Sequence, residues 1–80
     1  MVFTLSASAR CSVRVMNIAG RTVRLIEQDT LHPAGLNQVL WDGRSDLGPL
    51  VPGGVYLVTV QAAGEDGSKV QAMGSLTVAR

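Results

Sequence analysis

Val55-Tyr56-Leu57-Val58-Thr59-Val60-Gln61-Ala62 is the stretch whose reading decides the fold. Its polar members Thr59 and Gln61 lie two apart and share one face, which leaves Tyr56, Val58, Val60 and Ala62 on the other. A period of two marks a strand with one face in a core and the other in water. Just after it, Gly64-Glu65-Asp66-Gly67 has the composition of a reversing turn. The chain then returns as a strand over Lys69 to Val78. Val70, Ala72, Leu76 and Val78 are expected to face inward there, and Lys69, Gln71, Ser75 and Thr77 outward.

The same alternation runs back toward the start. Ser12-Val13-Arg14-Val15-Met16 and Arg21-Thr22-Val23-Arg24-Leu25 flank Asn17-Ile18-Ala19-Gly20, where Gly20 can take the positive φ that closes a hairpin. The simplest register sets Val15 near Val23 and Val13 near Leu25 on the core face, with Arg14 near Arg24 outside. Such a like-charge pair costs a few tenths of a kcal/mol unless a carboxylate intervenes. Residues 37–41 read as another strand, with Val39 and Trp41 on one face. At the front, Phe3 and Leu5 are expected in the core, with Thr4 and Ser6 outside. Residues 27–35 and 43–54 read as irregular and hold Pro33, Pro49 and Pro52, which limit edge pairing because they lack an N–H. Six or seven short strands with such turns predict an all-β sandwich of two antiparallel sheets.

Eighty residues make room for one domain, expected here to be a module cut from the C-terminal part of a larger protein. Hydrophobic residues are 46% and charged residues 16%, a balance that argues against disorder. Seven basic and six acidic side chains give a net charge of +1. The arginines are scattered at 10, 14, 21, 24, 44 and 80 rather than gathered in a stripe, which disfavours nucleic-acid binding. No apolar run reaches the ~20 residues of a membrane-spanning helix, so membrane insertion is not expected. The single cysteine, Cys11, has no partner for an internal disulfide, so packing alone must hold the fold.

Trp41-Asp42-Gly43-Arg44-Ser45-Asp46-Leu47-Gly48, then Val51-Pro52-Gly53-Gly54-Val55-Tyr56, form an ordered set together with residues 15–24 and Pro33-Ala34-Gly35. This set resembles the FlgD-type Ig-like domain, over roughly residues 2–79. The resemblance implies an Ig-like, fibronectin III-like β-sandwich. It further implies a non-catalytic module of an exported bacterial protein, extracellular or at the cell surface, that spaces, caps or anchors its neighbours. Related C-terminal modules serve as sorting signals, usually with an Asn-Pro leader that this sequence lacks ahead of its first strand. The signature residues Gly20, Trp41, Asp42, Gly43, Asp46, Gly48, Pro52, Gly54 and Tyr56 have structural readings. Trp41 brings apolar surface to a small core, Asp42-Gly43 and Asp46 with Gly48 suit turns, and Pro52 fixes φ. Tyr56 resembles the corner tyrosine of Ig-like folds, ring inside and hydroxyl on loop backbone.

The same sequence offers a few residues able to do chemistry. Asp42 and Asp46, with Asp29 or Asp66, are the candidates for calcium, which takes six to eight oxygen ligands. Two aspartates separated by an arginine suit turn chemistry better, and no metal or cofactor is expected. Cys11 and His32 are the only nucleophile and base of their kinds. Cys11 falls on the core face and His32, beside Pro33, reads as a solvated loop residue, so no catalytic pair is expected. Glu27, Asp29, Glu65 and Asp66 read as solvated turn or strand-end carboxylates rather than a glycosidase pair. A carbohydrate-binding module needs exposed aromatic rings, and alternation assigns Phe3, Trp41 and Tyr56 inward. The expected partners are neighbouring domains or further copies of the chain. The second case is an extracellular fibre joined by strand exchange, with the first strand as donor.

Overall fold

A computed structural model describes residues 2–79. Its elements are β1 (Val2–Leu5), β2 (Ala9–Asn17), β3 (Thr22–His32), β4 (Gly35–Gln38), β5 (Gly54–Gly64) and β6 (Lys69–Val78). They form two antiparallel sheets, a four-stranded one in the order β3-β2-β5-β6 and a two-stranded one of β1 and β4. The body is elongated, 40 × 20 × 19 Å.

The core lies where the alternation of β2 and β5 places it. Cys11, Val13 and Val15 are fully buried, and Tyr56, Val58, Val60 and Ala62 face them from the neighbouring strand. Val39 and Val51 close the core, and Phe3, Leu5, Val23, Ile26, Trp41, Leu76 and Val78 pack around it. Ring and aliphatic burial is thus concentrated on two adjacent central strands, where ladder hydrogen bonds are satisfied on both edges.

The hairpin forms as expected, but its register does not. The Asn17 amide donates to Arg21 O and the Gly20 amide to Asn17 O, while Asn17 Oδ1 accepts from the Ala19 and Arg21 amides. Gly20 has φ +84° and open space where a Cβ would stand. Gly20→Ala should therefore cost only the conformational penalty, about 1–2 kcal/mol, readable as a lowered urea midpoint with unchanged slope.

Three register shifts then displace β3 along β2, so Val15 stands opposite Arg24, Arg14 opposite Leu25 and Val13 opposite Glu27. The expected Val15–Val23, Val13–Leu25 and Arg14–Arg24 pairs do not form. Extra residues on a bulged strand change which side chains point inward. That is how Val23 and Ile26, three apart, both reach the core.

Further corrections follow from the length of the strands. β3 continues to His32, so residues 27–32 are strand rather than loop, and Pro33 marks its end. Asp29, at φ 52°, sits inside that stretch, its amide bonded to Ser12 Oγ. The strand expected at 37–41 is instead β4, ending at Gln38, with Val39 and Trp41 still directed at the core beyond it. Thr59, expected outside, is buried. It stands mid-sheet between Arg14 and Met73, whose long side chains flank it in register.

Val70 and Ala72, expected in the core, are exposed, Val70 by 66%. The two-stranded sheet has four residues per strand and does not reach this end of β6. Leu76 and Val78, further along the same face, are half-buried as the alternation predicts.

Candidate functional site

Of the signature residues, Gly20 lies apart in the turn between β2 and β3, and the others come together along a strap of irregular chain that runs from Trp41 to the start of β5 and covers one edge of the larger sheet. Asp42 Oδ1 accepts the Arg44 amide at 3.0 Å, and the Trp41 indole N–H donates to Arg44 O at 2.9 Å. The Val51 amide reaches Gly43 O, the Ser45 amide Pro49 O and the Gly48 amide Ser45 O, with Gly43 and Gly48 at φ 77° and 104°. Glycine tolerates these angles without the Cβ clash that other residues meet. The strap ends where Gly54 opens β5, and the Tyr56 hydroxyl donates to Pro52 O at 2.6 Å, the geometry expected of a corner tyrosine. Tyr56 also meets Trp41 edge to face, centroids 5.6 Å apart. Trp41 is half-buried rather than enclosed.

Asp46 does more than cap its own turn. Its amide donates to Val23 O, and its carboxylate accepts the Leu25 amide at 3.2 and 3.3 Å. Arg24, whose Nε lies 3.7 Å from Asp46 Oδ1, also donates to Ser45 O. One aspartate thus occupies backbone groups along the outer edge of β3, which would otherwise invite another strand. Nothing local in the sequence announces a contact twenty-one residues away. Asp46→Ala should lower stability by about 1 kcal/mol, or roughly 4–8 °C in Tm. It should also raise concentration-dependent association in sedimentation velocity. An unchanged Tm and a pure monomer would mean the edge needs no such cover.

The second constellation was not legible as such. His32, expected in solvent, is largely enclosed at the junction of the two sheets, its side chain 12% exposed. Asn37 donates through Nδ2 to Pro33 O and Gly35 O, which turns its Oδ1 toward His32 Nδ1 at 3.0 Å. Nδ1 therefore carries a proton. His32 Nε2 lies 2.5 Å from Glu27 Oε2, so Glu27 is a half-buried partner rather than a solvated carboxylate. Phe3 of β1 packs its ring at 72° to the imidazole, centroids 5.5 Å apart. The hydrogen bond to Glu27 raises the His32 pKa above 6.5; burial opposes it, and Asn37 adds to it. Cys11 is buried at 0% exposure, and burial first, then the Glu27 charge, pushes its thiol pKa up. A raised pKa suppresses the thiolate that nucleophilic chemistry needs.

The remaining acidic residues are dispersed. Asp29 lies by Arg10 at 4.0 Å and Asp66 accepts the Ser68 amide, while Asp42 and Asp46 serve the strap. The structure does not bring these residues together; among the described residues there is no group of three potential metal ligands.

Two facing antiparallel sheets, a corner tyrosine and a proline-bounded strap define an Ig-like β-sandwich. The chain matches the model of the FlgD Ig-like domain over residues 1–66 and belongs to that family. The match ends before β6. No curated protein and no solved structure matches the chain.

Proposed function

We propose that this chain is a non-catalytic accessory module of a secreted or surface-exposed bacterial protein, where it spaces, caps or anchors neighbouring domains. One observation carries this reading: the groups able to do chemistry are engaged in holding the scaffold. Cys11 is fully buried, both His32 ring nitrogens are hydrogen-bonded, and the Tyr56 hydroxyl is tied to Pro52 O. Membership of a family named for an Ig-like domain supports it. The test has two arms. Purified chain should show no hydrolase or transferase turnover that Cys11→Ala or His32→Gln abolishes; such turnover would overturn the reading. Protease shaving of intact source cells should release peptides of this domain, and their complete protection would refute the surface location.

A second reading, a self-assembling fibre subunit, draws on one observation. β1 has β4 as its only strand neighbour among the described residues and joins β2 through the exposed residues 6–8. A terminal strand held this way can swap into another copy without altering core contacts. Light scattering with and without residues 1–8 separates the cases. Oligomers that vanish on truncation favour exchange, and a monomer that loses its fold favours the passive module.

A further inference from the structure

The larger sheet has four strands and the smaller only two, so one lateral stretch of the larger sheet's inner face is left without a roof. The opening is a groove of about 710 Å³ between the first half of β6 and the edge of β1 that, among the described residues, pairs with no strand. Phe3 and Leu5 form one wall, Val60 and Ala62 the back, and Val70 and Ala72 the floor. Val70 is 66% exposed, on the inner face of a strand whose later residues Leu76 and Val78 pack against the core. Exposed apolar surface next to an unpaired strand edge is the combination that accepts an added strand. Backbone groups supply the ladder, and alternate side chains fill the groove.

The rim at the end of the groove is acidic. Glu65 and Asp66 line it, and among the described residues no basic side chain does. Hydrogen bonding from Ser68, side chain first and backbone second, holds the Asp66 pKa below its ordinary value, so this edge carries negative charge.

We propose that this groove is a strand-acceptor site for an extended segment of a partner protein, with apolar residues at alternate positions and a basic residue at its N-terminal end. The charge sets the polarity. β1 runs toward the end where β5 passes into Gly64 and the acidic turn. A strand with its basic N-terminus at that turn runs antiparallel to β1, the stronger of the two ladder geometries. Five residues at about 3.3 Å each span roughly 17 Å, enough to roof Val70 and Ala72. The site is independent of whether the module spaces, caps or anchors, and gives any of those roles a means of attachment.

The probe is the acetylated, amidated peptide Arg-Val-Thr-Val-Thr-Val-Ser, titrated into ¹⁵N-labelled chain. Saturable shifts are expected at residues 3–9, 70 and 72, together with slowed amide exchange in β1. Val70→Lys should weaken binding about tenfold, the effect of losing one apolar anchor. Its 66% exposure lets the fold persist, as circular dichroism will verify; Ala72→Glu is the second variant. Replacing the peptide's Arg by Glu should weaken binding several-fold, and less so at high salt. Absence of saturable shifts up to millimolar peptide would overturn the proposal. So would shifts at the β3 edge instead, or affinity indifferent to Val70→Lys and Ala72→Glu. A peptide-free dimer dissolved by Val70→Lys would also overturn it, by assigning the groove to a second copy.

Discussion

Tyr56→Ala is expected to cost about 3–5 kcal/mol, the usual effect of emptying a large buried aromatic site. At roughly 0.05–0.15 kcal/mol per residue, that is a quarter or more of the stability of an eighty-residue chain. The ring is 7% exposed, sits in the core and packs against Trp41. Its hydroxyl holds Pro52 O, so truncation releases the end of the strap as well. Tyr56→Phe isolates that bond and should cost about 0.5–1.5 kcal/mol. Trp41→Ala, at a half-buried site, should fall near the lower end of the aromatic range, about 3 kcal/mol. Urea denaturation of the three variants checks the order. A Tyr56→Ala protein melting within two or three degrees of wild type would show that the strap and its aromatic pair are ornaments to the sandwich.

The junction of His32, Glu27 and Asn37 should show itself as a pH dependence. The folded-state pKa of His32 lies above its ordinary 6.5 because its N–H meets the Glu27 carboxylate. A raised folded pKa means the native state holds the proton more tightly than the unfolded chain. The stabilisation is fully present below about 6.5 and is lost as pH rises through the folded value. Tm should therefore fall across that window, and His32→Gln should remove the slope. Cys11 acts in the same direction at higher pH, since its folded pKa lies above 9.0, and Cys11→Ala separates the two contributions. His32→Ala leaves Glu27 half-buried and unpaired, and should cost about 2–3 kcal/mol at neutral pH. The loss should be largest at the contact between β1 and the larger sheet, where Phe3 meets the imidazole. A flat Tm between pH 6 and 9 in the wild type would mean that His32 is neutral and contributes only packing.

The all-β class, the antiparallel sheets, the inward face of β5 and the burial of Cys11, Val13 and Val15 were legible from residue order. Those properties depend on a local period, and a strand's period of two is imposed by its own backbone. Tyr56 was legible for a related reason, because its partner Pro52 is four residues away. The turns at Asn17–Gly20 and 64–67 likewise satisfy their own backbone within a few residues.

Tertiary structure decided what depends on chain segments far apart. Two of the three shifts between β2 and β3 fall at Val23 and Ile26, which both pack inward, and the third falls by Asp29 with its φ of 52°; a strict alternation misassigns every pair beyond the first bulge. Asp46 finds Leu25 across twenty-one residues, once the strap folds over the edge of β3. Glu27 and Asn37 are each only five residues from His32, yet the three meet because β3 runs on to His32 and the chain turns back into β4, neither of which local alternation shows. Val70 and Ala72 show the same division from the other side. Their sequence alternates as a buried face should, yet burial requires an opposing strand, and the two-stranded sheet ends short of them. Side-chain direction is a property of the strand that carries it; whether that direction meets protein or water is a property of what lies across from it.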